Sequence, residues 1–117
     1  MTIIAAIPDS VEGAAALRAA VAEAARLGTD LVAVNLGLRP LKVEGLDDAV
    51  TVTVVDRSGR GDRDPVDAVL DEIDAHSATR LVLCVKRRSI AGKSLLGSVS
   101  QRLILSAPIP ILAVKVD

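Results

Sequence analysis

Not one phenylalanine, tyrosine or tryptophan occurs in the 117 residues. The core must therefore be filled with Val, Leu, Ile and Ala, and no aromatic face is available for a base to stack on, which argues against general nucleic-acid binding. Cysteine is almost as scarce. Cys84 stands alone, so an intramolecular disulfide is excluded, and its place in an apolar run suits a small buried thiol. The one histidine, His76, falls at the end of a helical stretch, where an imidazolium favours the helix C-terminus, and it brings no partner set for a metal. Long uncharged runs are lacking as well, and the chain opens on Thr2-Ile3-Ile4-Ala5-Ala6-Ile7 without a basic leader or a cleavage site. A cytoplasmic protein with no membrane partner is the expectation.

A further absence is regional. From Ala75 to Val116 there is no acidic residue, while Arg80, Lys86, Arg87, Arg88, Lys93, Arg102 and Lys115 all lie in that stretch. The formal net charge is only −1, which gives no polyanion partner for the molecule as a whole. Two readings of the basic stretch stand side by side: a solvated face neutralised by the acidic helix before it, or a site for a small anion. What is present in quantity is apolar, with half the residues hydrophobic and a quarter charged. That composition and length predict one globular domain spanning residues 1–117.

The apolar runs alternate between two kinds. Residues 2–7, 31–36, 50–55, 81–85 and 110–116 are short and rich in β-branched residues, as strands buried on both faces should be. Between the first two, residues 11–27 show helical spacing, with Leu17, Val21, Ala24 and Ala25 on one face, Asp9 and Glu12 as a capping box and Gly28 at the end. A second helix opens on Asp64-Pro65 and buries Val66, Val69, Leu70 and Ile73. A third runs over 98–106, with Ser98 and Gln101 at capping-box spacing, Val99, Leu103 and Ile104 facing the core, and Ala107-Pro108 as its stop. The order predicts an α/β fold: an open, parallel five-stranded sheet with helices on both faces, doubly wound and Rossmann-like. Residues 37–49 show no helical stripe and make a shortened second crossover, so the third strand is either parallel through a short turn or antiparallel through a long hairpin.

Gly92-Lys93-Ser94 has the ending of a phosphate-binding P-loop, but Arg87 stands where that loop needs its first glycine. The wider segment from Cys84 to Gln101 leads from a strand end through a basic loop into Gly97-Ser98 at a helix start. It resembles the universal stress protein family, in which the segment looks like Gly-x-x-Gly, nine residues, then Gly-Ser or Gly-Thr. Gly97-Ser98-Val99-Ser100-Gln101-Arg102 and Ala107-Pro108-Ile109-Pro110-Ile111-Leu112-Ala113-Val114 match its later part, and Asp64-Pro65-Val66-Asp67-Ala68-Val69-Leu70 is similar to the opening of the family's third helix.

The resemblance implies a stress-response binding or regulatory protein, a homodimer joined through Pro110, Ile111, Leu112, Ala113, Val114, Lys115 and Val116. It also implies a nucleotide site with its phosphates on Lys86, Arg87, Arg88, Gly92, Lys93, Gly97, Ser98, Val99 and Ser100 and its base and ribose toward Pro8, Asp9 and Ser10. Three of the family's supports are altered: Cys84 and Arg87 replace the two glycines, and Pro8 replaces the aspartate that helps hold adenosine. ATP or a related nucleotide is thus expected as a weak ligand, with no obligatory cofactor. The alternatives are a ligand-free dimeric adaptor and a slow nucleotide hydrolase. The hydrolase would need a carboxylate near the phosphates, and in sequence only Asp9 is placed to supply one.

Overall fold

The structure, a computed structural model, describes residues 1–8, 11–37, 39–43, 49–56, 64–86 and 98–116. Five strands, β1 (Thr2–Ile7), β2 (Asp30–Asn35), β3 (Val52–Asp56), β4 (Arg80–Lys86) and β5 (Ile111–Val116), form one sheet in the order β3-β2-β1-β4-β5. Every pairing is parallel, β2 with β3 included, which resolves the direction of the third strand. The helices are α1 (Val11–Leu27), α2 (Pro65–Ala75) and α3 (Ser98–Ser106).

Alternation along each strand divides the core in two. Ile3, Ala5 and Ile7 point to the face covered by α1, whose Ala16, Leu17, Ala20, Val21 and Ala24 fill that side. Ile4 and Ala6 point to the other face, where α2 contributes Val66, Ala68, Val69 and Ile73 and α3 contributes Leu103. The small stripe on α1 lets the helix lie close to the sheet in a core without rings. Leu41, Val43 and Val50 pack on the α1 face, so the short link between β2 and β3 shares that side. No helix stands among the described residues of the link.

Local sequence explains the helix ends. The Asp64 carboxylate accepts from the Val66 N–H at 3.2 Å and caps α2, and Pro65 takes the first helical position. Gly28, at φ 65°, ends α1 in the left-handed region that a side chain would resist. Two expected core residues are corrected. Ala25 is exposed, because the buried stripe of α1 runs through Gly13, Ala16 and Ala20 instead. Ile104 is 41% exposed, because α3 turns only Leu103 fully into the core. The α1 capping box of Asp9 and Glu12 lies outside what is described.

Candidate functional site

The strand order places the switch point of the sheet between β1 and β4, since the chain winds from β1 across β2 and β3 and then crosses to β4 on the far side of β1. In such sheets the crevice outside the carboxyl ends of those two strands is where ligands bind. Here its walls are Pro8 after β1 and the end of β4, whose pairing with β1 runs from Ile3–Arg80 to Ala5–Val82. Gly13 lets the first turn of α1 close against this corner: a Cβ at Gly13 would overlap the Pro8 carbonyl oxygen.

On the other wall, Ser100 Oγ donates to the Cys84 carbonyl at 3.2 Å and ties the first turn of α3 to the end of β4. Ser98 is exposed at the helix start, and Val99 and Ser100 are half-buried. The structure thus brings Ser98, Val99 and Ser100 to the carboxyl end of β4. Lys86 closes that strand. The Lys86 side chain and Arg87, Arg88, Gly92, Lys93, Gly97, Asp9 and Ser10 lie outside the described residues.

The acid-free stretch acquires acids in space. Arg102 forms a two-pronged pair with Asp64, Nη1 to Oδ1 at 3.2 Å and Nη2 to Oδ2 at 2.6 Å, linking α3 to the cap of α2. The hydrogen bond and charge of Asp64 raise the Arg102 guanidinium above its ordinary value. At the opposite edge of the sheet Arg80 pairs with Glu23, which also accepts from Arg26 at 2.9 Å. Among the described residues of that stretch, Arg102 is paired at the cap of α2, the acidic helix before it, as the solvated-face reading expects, while Arg80 finds its carboxylate on α1.

Farther along the crevice the buried Asn35 ends β2, and its amide nitrogen donates to the Arg39 carbonyl at 2.8 Å and to Asp56 Oδ1 at 2.9 Å. Its amide oxygen accepts from the Gly37 N–H at 3.1 Å, so one side chain fixes the turn after β2 to the end of β3. Sequence reasoning missed Asn35, Asp56, Gly13 and the Asp64–Arg102 pair. A polar residue ending an apolar strand and a glycine inside an alanine-rich helix were the available signals for Asn35 and Gly13. Nothing in one dimension announced the ion pair.

Among the described residues no group of His, Cys, Asp or Glu is arranged to hold a metal, and no helix is long and apolar enough to cross a membrane. A shallow groove of about 300 Å³ between α2, Ser77, Pro108 and Ile109 lies at the amino ends of β4 and β5, away from the crevice.

Comparison with known proteins follows the same lines as the geometry. A universal stress protein from Mycolicibacterium smegmatis is 46% identical over 52 residues, which span 44% of this chain and 40% of that protein. The structure of a universal stress protein from Archaeoglobus fulgidus superposes with a TM-score of 0.72 at 22% identity, covering 97% of each chain. A second structure, the universal stress protein from Archaeoglobus fulgidus in complex with dAMP, gives a TM-score of 0.66 at 20% identity over 97% of this chain and 96% of that one. The profile of the universal stress protein family matches residues 41–115, from the short crossover into β5, and the chain belongs to that family.

Proposed function

We propose that this chain is a single-domain stress-response binding or regulatory protein that acts as a homodimer in the cytoplasm and takes a phosphate-bearing small ligand weakly at the start of α3. The supporting observation is the first turn of α3, set against the carboxyl end of β4 by the Ser100–Cys84 bond beside the switch-point crevice. Free N–H groups and the helix dipole favour an anion there. A structural neighbour in complex with dAMP is in keeping with a nucleotide as that ligand. In this reading Gly97, Ser98, Val99 and Ser100 face the phosphates, Lys86, Arg87, Arg88, Gly92 and Lys93 close over them, and Pro8, Asp9 and Ser10 flank the base and ribose. ATP is held weakly because Pro8, Cys84 and Arg87 stand where the family has an aspartate and two glycines. Each polar contact left unmet costs about 1–3 kcal/mol.

Calorimetry with ATP tests this. A dissociation constant well above micromolar is expected, with a modest further loss in Ser98→Ala and abolition in Gly97→Asp, whose carboxylate would occupy the anion position. Equal stabilisation of wild type and Gly97→Asp by phosphate would place any anion elsewhere. The ligand-free adaptor reading has an observation of its own, since the Ser100 hydroxyl and the Arg102 guanidinium already have partners within the protein.

A further inference from the structure

We propose that the furrow between α2 and α3, which opens into the groove at the amino ends of β4 and β5, docks a cationic amphipathic helix of another protein. This surface lies at the opposite pole from the crevice and is independent of any ligand bound there.

The topology makes the furrow. α2 and α3 each leave the carboxyl edge of the sheet and run side by side over one face toward the amino edge. The Arg102–Asp64 pair closes the furrow where the two helices start. Residues three apart on a helix share a face, so Leu105 lies one turn beyond Arg102 on the side of α3 that looks along α2. Leu105 is 79% exposed, and Pro108, just past the helix, is exposed as well. The floor between them and α2 is apolar, made of Leu70, Ile73, Ala78 and Ile109.

The facing wall is acidic. Asp67, Asp71 and Asp74 recur along α2 at i, i+4 and i+7, all three are exposed, and α2 contains no Lys or Arg. The charge of Asp67 acts on Arg102, which fixes this stripe on the side toward α3, and Asp74 itself lines the groove. Beyond Arg102 neither wall carries a Lys or Arg among the described residues. Ser77 at the rim holds φ 47°, the left-handed conformation for which α1 uses Gly28, so α2 ends on a side chain that its backbone disfavours and keeps a hydroxyl beside the groove.

An apolar floor and an exposed leucine beside a row of carboxylates complement a helix with aliphatic anchors on one face and Lys or Arg on the next. Other occupants are opposed by the same features. A second copy docking by two-fold symmetry would set acid against acid, and an anionic ligand or lipid surface would meet like charge. An extended peptide adds to a sheet edge, and both walls here are helical.

The test is fluorescence polarisation with a short labelled helical peptide of leucine and lysine, its counterpart with glutamate for lysine, and a leucine–lysine peptide of the same composition scrambled out of helical period. The leucine–lysine helix should bind wild type, the scrambled peptide more weakly, and the glutamate helix not at all. Asp74→Lys and Leu105→Ser should each weaken binding by about ten-fold, the first through like charge and the second through lost apolar burial. Both positions are exposed, so both variants keep the fold, which circular dichroism verifies. Asp30→Lys makes the same charge change at an exposed residue on β2 and should leave binding within about two-fold of wild type. Equal weakening by Asp74→Lys and Asp30→Lys would overturn the proposal, because net charge alone would then govern binding. So would equal affinity for the scrambled peptide, indifference to Leu105→Ser, or no binding of the leucine–lysine helix to wild type.

Discussion

Gly13 shows how a single missing Cβ shapes this molecule. The third residue of α1 lies against the last turn of chain after β1, and a methyl group there would overlap the Pro8 carbonyl oxygen and press on Ile7. Alanine is the better helix former by about 1 kcal/mol, so propensity alone would favour Gly13→Ala. The obstacle is backbone, which cannot rotate away, and overpacking of this kind costs about 1–3 kcal/mol. The clash prevails, and Gly13→Ala is expected to lower stability in urea denaturation by about 1 kcal/mol while displacing the start of α1 from the crevice. An unchanged or higher midpoint would mean that the helix has room to move.

Elements are joined at their ends by charge. Glu23, near the end of α1, accepts from Arg26 on its own helix and from Arg80 at the start of β4, and its side chain is only 11% exposed. Hydrogen bonding from Arg26 chiefly, opposed by burial and reinforced by Arg80, holds its carboxyl below the usual range. A depressed carboxylate contributes stability that is complete above its unfolded value, about 4.3, and is lost as pH falls through the lower folded value. Glu23→Gln should therefore cost on the order of 1 kcal/mol at neutral pH. The gap from wild type should narrow in denaturation curves recorded at successively lower pH from about 4.3. A gap of constant size across that range would show that the charge is not what joins α1 to β4.

At the scale of the whole molecule the open question is the edge of the sheet. β5 pairs with β4 on one side only, and Leu112 and Ala113 are exposed. The Leu81 N–H donates to the Pro110 carbonyl, and the alternation of a parallel ladder then turns the N–H groups of Leu112 and Val114 toward β4 and that of Ala113 toward the open edge. An edge of this kind invites pairing, and two-fold pairing of β5 with itself would cover it in the homodimer proposed here. Ala113→Pro removes one outward donor and leaves the ladder to β4 intact. Sedimentation should give a dimer for wild type at high micromolar concentration and a shift toward monomer for the variant. A wild-type monomer, unaltered by the substitution, would dismiss β5 as the interface.

The alternation of β-branched runs with helical spacings determined the α/β class by itself, because period and length separate strands from helices without any knowledge of contacts. Asp64-Pro65 and Gly28 marked helix ends for equally local reasons, since caps and left-handed turns are chosen by neighbours in sequence. Residues 37–49 were different. With no helical stripe to read, the direction of β3 was settled only by its register beside β2, a property of two strands at once. The same holds for the crevice. A stretch of sequence without acids has Arg102 meeting Asp64 at the carboxyl ends of the strands and Arg80 meeting Glu23 at their amino ends, because Coulomb attraction acts through space and the sheet brings distant segments together. Sequence determined which elements form, because periodicity and caps are local, and tertiary structure decided which of them meet, because pairing and charge act between segments far apart in the chain.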